Sequence, residues 1–264
     1  MQKDSALRTI QVAVLLCMVC SILVTTSAVV LRDRQEKNKQ LDIKKNLLIA
    51  SGLLKNSKAT ESEINKAYES VVSEVIHLES GEVTKDFDSQ TFDQRKMAKD
   101  PKHNYQIPKT LDTAGIKVRS KYALSYKIMK DGKPHMVVLP VSGKGLWSTL
   151  YGFIALAPDT RTIKGIGFYE HAETPGLGGE IDNALWKKQW IGKIALNDKY
   201  EPVFEVNRGL VTVSTPNPKH KVDGLSGATI TSNGVTNLVK YWLGEDGFGP
   251  YLSKFRASQK RVKT

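Results

Sequence analysis

The first clear feature of the hydrophobic pattern is a run, Ile10 to Leu31, that is apolar or small throughout apart from Gln11 and scattered Ser and Thr, and that carries no charge. About 20 such residues cross a bilayer as a helix, so the run predicts one transmembrane helix. Arg32 to Ala50 is charged, with Leu41, Lys44, Leu47 and Leu48 on related faces, as in a helical stalk. Gly52 and the run Lys55 to Ala59 break it. Thr60-Glu61-Ser62-Glu63 is a capping box. Ile64, Ala67, Tyr68, Val71, Val72, Val75 and Ile76 follow at helical spacing and predict one helix across all of them. Asp86 to Pro108 is polar and predicts a surface excursion.

Beyond this point the period changes. Tyr122, Leu124, Tyr126 and Ile128 alternate, Asp131-Gly132 supplies a turn, and Met136 to Leu139 returns, which predicts a hairpin over Tyr122 to Val141. His135 beside the turn reads as a solvated strand residue. Tyr151 to Leu156 and Thr162 to Tyr169 predict further strands, Asp182 to Ile191 a short helix capped near Asp182, and Phe204, Val206 and Leu210 to Val213 more strand. Val235, Leu238, Val239 and Trp242 fall on one face of a helix from Ile230 to Leu243, with Gly244 at its end. Gly247 to Thr264 reads as a basic tail. The divisions are a short tail (1–9), a transmembrane helix (10–31), a stalk helix and linker (32–59) and a globular domain (60–264). The fold class is α+β, with a mixed or antiparallel sheet and flanking helices.

Charge and cysteine content refine this picture. The net charge is +12, but the basic residues are scattered and no nucleic-acid motif accompanies them, so the excess reads as lipid and partner contacts. A cleaved signal peptide, with Thr26-Ser27-Ala28 as its cleavage site, is the rival of a retained anchor; the length of the run favours the anchor. Lys3 and Arg8 precede the span and Arg32, Arg34, Lys37 and Lys39 follow it, so the positive-inside rule by itself holds the domain in the cytoplasm, although large domains translocate despite such charges. Cys17 and Cys20 both lie in the apolar run with no second pair and no nearby His, so they read as small apolar residues rather than a redox or metal site.

The candidate chemistry centres on Val222 to Ser232, which packs Ser226, Thr229, Thr231 and Ser232 with Gly224 and Gly227 just ahead of the last helix. Thr229 stands where free N–H groups and the helix dipole favour a phosphate. A capping Thr after a Gly-rich turn has the same pattern. Gly143-Lys144-Gly145-Leu146-Trp147 suits either a flat ligand or an ordinary turn with a core Trp. In His171-Ala172-Glu173-Thr174-Pro175-Gly176-Leu177-Gly178-Gly179-Glu180 a Pro-Gly turn and three glycines free backbone N–H groups to face a ligand. His171 and Glu173 offer a metal or acid–base pair, but no third ligand is evident. Lys219 and Lys221 offer charge to a phosphate on Thr229, or form a solvated loop.

Asp223-Gly224-Leu225-Ser226-Gly227-Ala228-Thr229-Ile230-Thr231 resembles the flavinylation motif of FMN-binding domains, D-G-x-[ST]-G-A-T-x-[ST]. The whole chain, span included, is similar to the C subunits of sodium-translocating NADH:quinone reductases, with the G subunits of Rnf complexes as near neighbours. The resemblance implies an FMN-binding region at about 120–245 and one FMN joined by its phosphate to Thr229 through the action of a flavin transferase. It further implies flavin contacts from Asp223, Ser226, Gly227, Ala228, Trp147, Glu173, Thr174, Leu177 and Gly178. It places the chain in the bacterial inner membrane with its domain on the periplasmic side. There it would relay electrons among partner subunits, one of them a second FMN-carrying membrane subunit, while NADH is oxidised by ubiquinone and sodium is exported. No G-x-G-x-x-G after a strand and no Fe–S cysteine set occur, so the chain is not expected to oxidise NADH itself. The alternatives are an Rnf-type G subunit and, from another class, an anchored assembly module without cofactor.

Overall fold

A computed structural model of the chain describes residues 6–54 and 58–261, with side chains as far as residue 259. The start of the N-terminal tail with Lys3, the part of the predicted break at Lys55 to Ser57 and the end of the predicted basic tail lie outside the described residues. The chain divides into two units, one up to Ile43 and one from Lys44 onward. The first is helix α1 (Ala6–Ala50) as far as Ile43. From Leu7 to Leu31 its Leu, Ile and Val side chains stand exposed on all sides of the helix. The helix is long and apolar enough to cross a membrane.

The second unit begins with the last turns of α1, where Leu47, Leu48 and Ala50 are buried. Gly52, at φ +74, follows the helix end. Thr60 caps α2 (Glu61–Tyr68) in a full capping box: Thr60 accepts from the Glu63 N–H and Glu63 from the Thr60 N–H. Here the helical spacing misleads. The chain leaves the helix after Tyr68 and forms strand β1 (Val71–His77), followed by β2 (Glu82–Thr84). Val71, Val72, Val75 and Ile76 are β-branched, a class that loses rotamer freedom in helices and packs well on a sheet. Both faces of this sheet are covered, so the neighbours Val75 and Ile76 are both buried and imitate a helical pair. The predicted surface excursion contains α3 (Gln94–Lys99), capped by Asp93, and β3 (Asn104–Gln106), which pairs with β4 (Val118–Ser120).

Strands β5 (Tyr122–Lys130) and β6 (Lys133–Lys144) form the expected hairpin. Its turn holds Asp131 at φ 51 and Gly132 at φ 73, the backbone that Asp-Gly adopts most readily. β7 (Thr149–Leu156) and β8 (Ile163–Glu170) complete a six-stranded antiparallel sheet in the order β2-β1-β5-β6-β7-β8. A 3-10 turn (Gly178–Asp182) leads to α4 (Ala184–Lys188), whose cap is Asn183 rather than Asp182. β9 (Glu205–Val206) pairs in parallel with β10 (Lys221–Val222), so the fold is α+β with an antiparallel main sheet and a parallel minor ladder. Leu210 to Val213, predicted as strand, is loop. Leu210 and Val213 are exposed, and their apolar spacing reports no ladder.

Helix α5 (Thr229–Leu243) packs across the end of β6. The Trp242 indole N–H donates to the Ser142 carbonyl at 2.7 Å. The segment read as a basic tail is helix α6 (Gly249–Arg261), with Tyr251, Leu252 and Phe255 buried. The Tyr251 hydroxyl donates to Glu74 and accepts from Ser125, which fastens α6 to β1 and β5. Basic composition hides this helix because its lysines and arginines share it with a narrow apolar stripe. On the other face of the sheet, Gly165 leaves space for the Ala50 carbonyl and Gly167 lies against Ala50 and Asn46.

Candidate functional site

The site is built around the start of α5. Ala228, at φ −129 and ψ 48, is the N-cap and offers no side-chain acceptor, so the N–H groups of the first turn point outward from an open helix end. The turn before it is fixed from within. The Ala228 N–H donates to the Leu225 carbonyl at 3.1 Å, the Ser232 N–H to the Ala228 carbonyl at 2.9 Å, and the Leu225 N–H to the Ser232 hydroxyl at 3.1 Å. Gly227 takes φ +68, and a Cβ there would stand 2.9 Å from Leu177 Cδ2. Thr229, Ser226 and Gly227 are exposed and Ala228 is buried. Thr229 thus presents its hydroxyl at the positive end of a 15-residue helix.

Two carboxylates hold this turn. Asp223 accepts from the Val211 N–H at 2.6 Å and from the Gln189 amide at 2.9 Å. Its own N–H donates to Gln189 and its carbonyl accepts from the Trp186 indole at 2.8 Å. Asp223 therefore ties the motif to α4 and to the loop after β9. Glu173 is buried and accepts four hydrogen bonds: from the N–H groups of Leu146, Trp147 and Ser148 at 3.2, 3.0 and 3.3 Å, and from the Thr231 hydroxyl at 2.6 Å. Burial opposes its ionisation, but the bonds from Thr231 and the three N–H groups prevail and hold the carboxyl below the usual glutamate range. Gly145 and Gly178 make room for it: a Cβ on Gly145 would stand 2.6 Å from Glu173 Oε1, and one on Gly178 2.6 Å from Thr231 Oγ1.

These bonds bring three separate stretches to one place: the Gly145–Ser148 turn between β6 and β7, the loop from His171 to Gly179, and the first turn of α5. Their outward side chains form an apolar rim. Trp147 is 67% exposed, Ile230 58%, Leu177 44% and Leu146 42%. Trp147 is therefore no core tryptophan. Thr174 is exposed, and its carbonyl accepts from the Leu177 and Gly179 N–H groups, closing the Pro-Gly turn. His171 holds the loop at its base, with Nε2 2.8 Å from Asp182 and Nδ1 accepting from the Glu173 N–H. The hydrogen bond to Asp182 raises the imidazole pKa, against burial, which lowers it. No cluster able to hold a metal occurs among the described residues. Lys221 pairs with Glu205 at 2.8 Å, so its charge is already partnered there.

The residues expected at the site fall into two groups. Thr229, Ser226, Gly227, Trp147, Thr174 and Leu177 face outward around the helix end. Asp223, Glu173, Ala228 and Gly178 lie underneath and shape it. The structure adds Thr231 and Gln189 as supports, and Leu146 and Ile230 in the rim. For Thr231 and Ile230 the signal in sequence is their place in the motif, and for Leu146 its place beside Trp147; Gln189 touches the site only through the fold. The arrangement offers an exposed hydroxyl at a phosphate-favouring helix end beside an apolar rim suited to a flat ring.

Comparison with known proteins agrees with this geometry. Residues 145–244 match the family model of the FMN-binding domain. The C subunit of the Na(+)-translocating NADH-quinone reductase of Yersinia pestis is 42% identical over 255 residues, covering 96% of this chain and 94% of that protein. The protein of the same name from Pseudomonas aeruginosa is 40% identical, covering 97% and 98%. The crystal structure of Shewanella oneidensis NqrC superimposes with a TM-score of 0.76 at 34% identity, over 84% of this chain and 99% of that one.

Proposed function

This chain belongs to the family of Na(+)-translocating NADH-quinone reductase C subunits, and from that premise we propose that it carries one FMN joined by its phosphate to Thr229 and passes electrons between partner subunits. The observation that carries the proposal is the placement of Thr229, exposed at the first position of α5, beside the apolar rim. The residues fit the group. The open helix end favours the phosphate, Gly227 lets Leu177 close against the turn, and Trp147, Leu177, Leu146 and Ile230 supply apolar surface for a ring system. FMN, when bound, supplies the electron chemistry; the protein supplies attachment, orientation and the local field. Asp223 and Glu173 spend their hydrogen bonds on the scaffold, so neither is a proton donor or acceptor in this reading.

The membrane helix anchors the chain, and we place the domain on the periplasmic side, where a covalent tether prevents loss of the cofactor. The partners in this reading are the other subunits of a membrane NADH:quinone reductase, one of them a second FMN carrier, with a flavin transferase for maturation. Intact mass of the full chain and of Thr229→Ala, each co-expressed with a flavin transferase, tests the attachment. The natural chain is expected to gain the mass of one FMN moiety and the variant none. No gain on the natural chain despite an active transferase would overturn the covalent reading and favour an assembly module without cofactor.

A further inference from the structure

We infer that the hydrogen bond from Thr231 to Glu173 is a latch that sets the orientation of the ring-binding rim, which makes Thr231 and Glu173 positioning residues for the flavin. The inference rests on the reading of Thr229 as the attachment point. Thr231 is two residues beyond Thr229 in the same helical turn, so its side chain faces away from the tether and into the protein. Its hydroxyl meets Glu173 Oε2 at 2.6 Å, a short bond to a buried carboxylate. The other bonds of that carboxylate go to three consecutive N–H groups, Leu146, Trp147 and Ser148. One carboxylate therefore joins the helix that would carry the phosphate to the turn whose exposed indole and leucine would meet the ring.

The joint also passes through glycines that admit no side chain. A Cβ on Gly178 would stand 2.6 Å from the Thr231 hydroxyl and 2.8 Å from Glu173 Oε2. The loop carrying Leu177 thus closes over the same bond. Removing the hydroxyl leaves Glu173 Oε2 with the single 3.2 Å bond from Leu146. A buried carboxylate short of a donor costs more than the lost bond alone, so the turn is expected to loosen rather than absorb the change.

The test uses the full chain purified in detergent, with and without co-expressed flavin transferase, as Thr231→Val, Thr231→Ser and Glu173→Gln. In the chain without flavin, Thr231→Val is expected to speed amide hydrogen exchange at residues 146–148 about tenfold or more, the loss of one bond to a charged group, and Thr231→Ser to leave it near the natural rate. In the loaded chain, where Thr231→Val would break the motif that a flavin transferase reads, Glu173→Gln is expected to reach the natural flavin mass but show lower flavin fluorescence anisotropy and a shifted midpoint potential, with Thr231→Ser natural in both. Unchanged exchange at 146–148 would overturn the latch. Faster exchange with natural anisotropy and potential would reduce the bond to a structural contact and also overturn the proposal. Should Thr231→Val fail to fold, Glu173→Gln takes its place in the exchange measurement, because it keeps the shape but lacks one acceptor oxygen; it is expected to move exchange the same way, and natural values in it would refute the latch. A natural chain without flavin mass would defeat the covalent reading instead, and the exchange measurement would still decide whether the latch exists.

Discussion

Replacing Gly143 with alanine puts a methyl group where β6 and α5 touch. The new Cβ would stand 2.5 Å from Leu238 Cβ, with Leu238 Cα and the Ala114 carbonyl oxygen each 3.4 Å away. Carbon atoms pack best at about 3.5–4.0 Å, so the shortfall is roughly 1 Å against an atom that no rotamer change can withdraw. The helix or the strand must shift. Overpacking of a core costs about 1–3 kcal/mol, and exchanging glycine for alanine in a strand returns about 0.5–1 kcal/mol. A net loss near 1–2 kcal/mol follows, or about 2–8 °C in Tm for a domain of this size. The shift would also stretch the bond from Trp242 to the Ser142 carbonyl. Gly209→Ala is the matched control, because its Cβ would meet nothing within 4 Å and its φ lies outside the left-handed region; it is expected to be neutral or up to about 1 kcal/mol stabilising through the unfolded chain. Thermal unfolding of the full chain in detergent, followed by intrinsic tryptophan fluorescence, compares the two. A Gly143→Ala chain as stable as the Gly209→Ala chain would refute the packing argument.

Arg119 is 6% exposed; it donates to the Tyr241 hydroxyl and the Ser120 carbonyl and lies 3.6 Å from Asp246. Arg119→Ala is expected to destabilise the domain by about 1–3 kcal/mol in urea titrations, because it leaves the Tyr241 hydroxyl and the Ser120 carbonyl short of a donor, and Arg119→Lys is expected to recover only part of this, since a lysine cannot reproduce the guanidinium fork. The His171 pKa is raised in the folded chain by Asp182, so the pair stabilises fully below the ordinary histidine value, and its contribution is lost as pH rises through the raised one. Tm against pH should therefore show a difference between the natural chain and His171→Gln that shrinks on going alkaline, and stays below about 1 kcal/mol because Asp182 is half exposed. With the domain on the periplasmic side, protease added to spheroplasts should cut the chain beyond residue 50, and protection until the membrane is opened would reverse the orientation.

Much of this protein is set by local chemistry, and that part is legible in the chain itself. Twenty-odd uncharged residues have one comfortable solvent, the Asp131-Gly132 turn one favoured backbone, and Thr60 with Glu63 one capping geometry. The motif from Asp223 to Thr231 lies at the start of a helix whose periodicity is plain. The residues alone leave Thr229 open between a capping role and a phosphate site; the resemblance of the motif is what makes it the candidate before the fold is known.

Other features depend on partners far along the chain. Val71 to Ile76 is decided by β5, which gives each residue a ladder partner and, with both faces of the sheet covered, removes the alternation that marks a strand. The C-terminal helix needs the sheet to receive Tyr251, Leu252 and Phe255; without that contact its composition is that of a solvated tail. The family resemblance implies that Glu173 faces the flavin. Only the fold shows that three N–H groups from residues 146–148 and a hydroxyl from α5 converge on it, since a buried carboxylate goes where donors collect. Trp147 is the reverse case. Its position in sequence suits a core residue equally well, and it stands exposed because Glu173 has bound the backbone on which it rides.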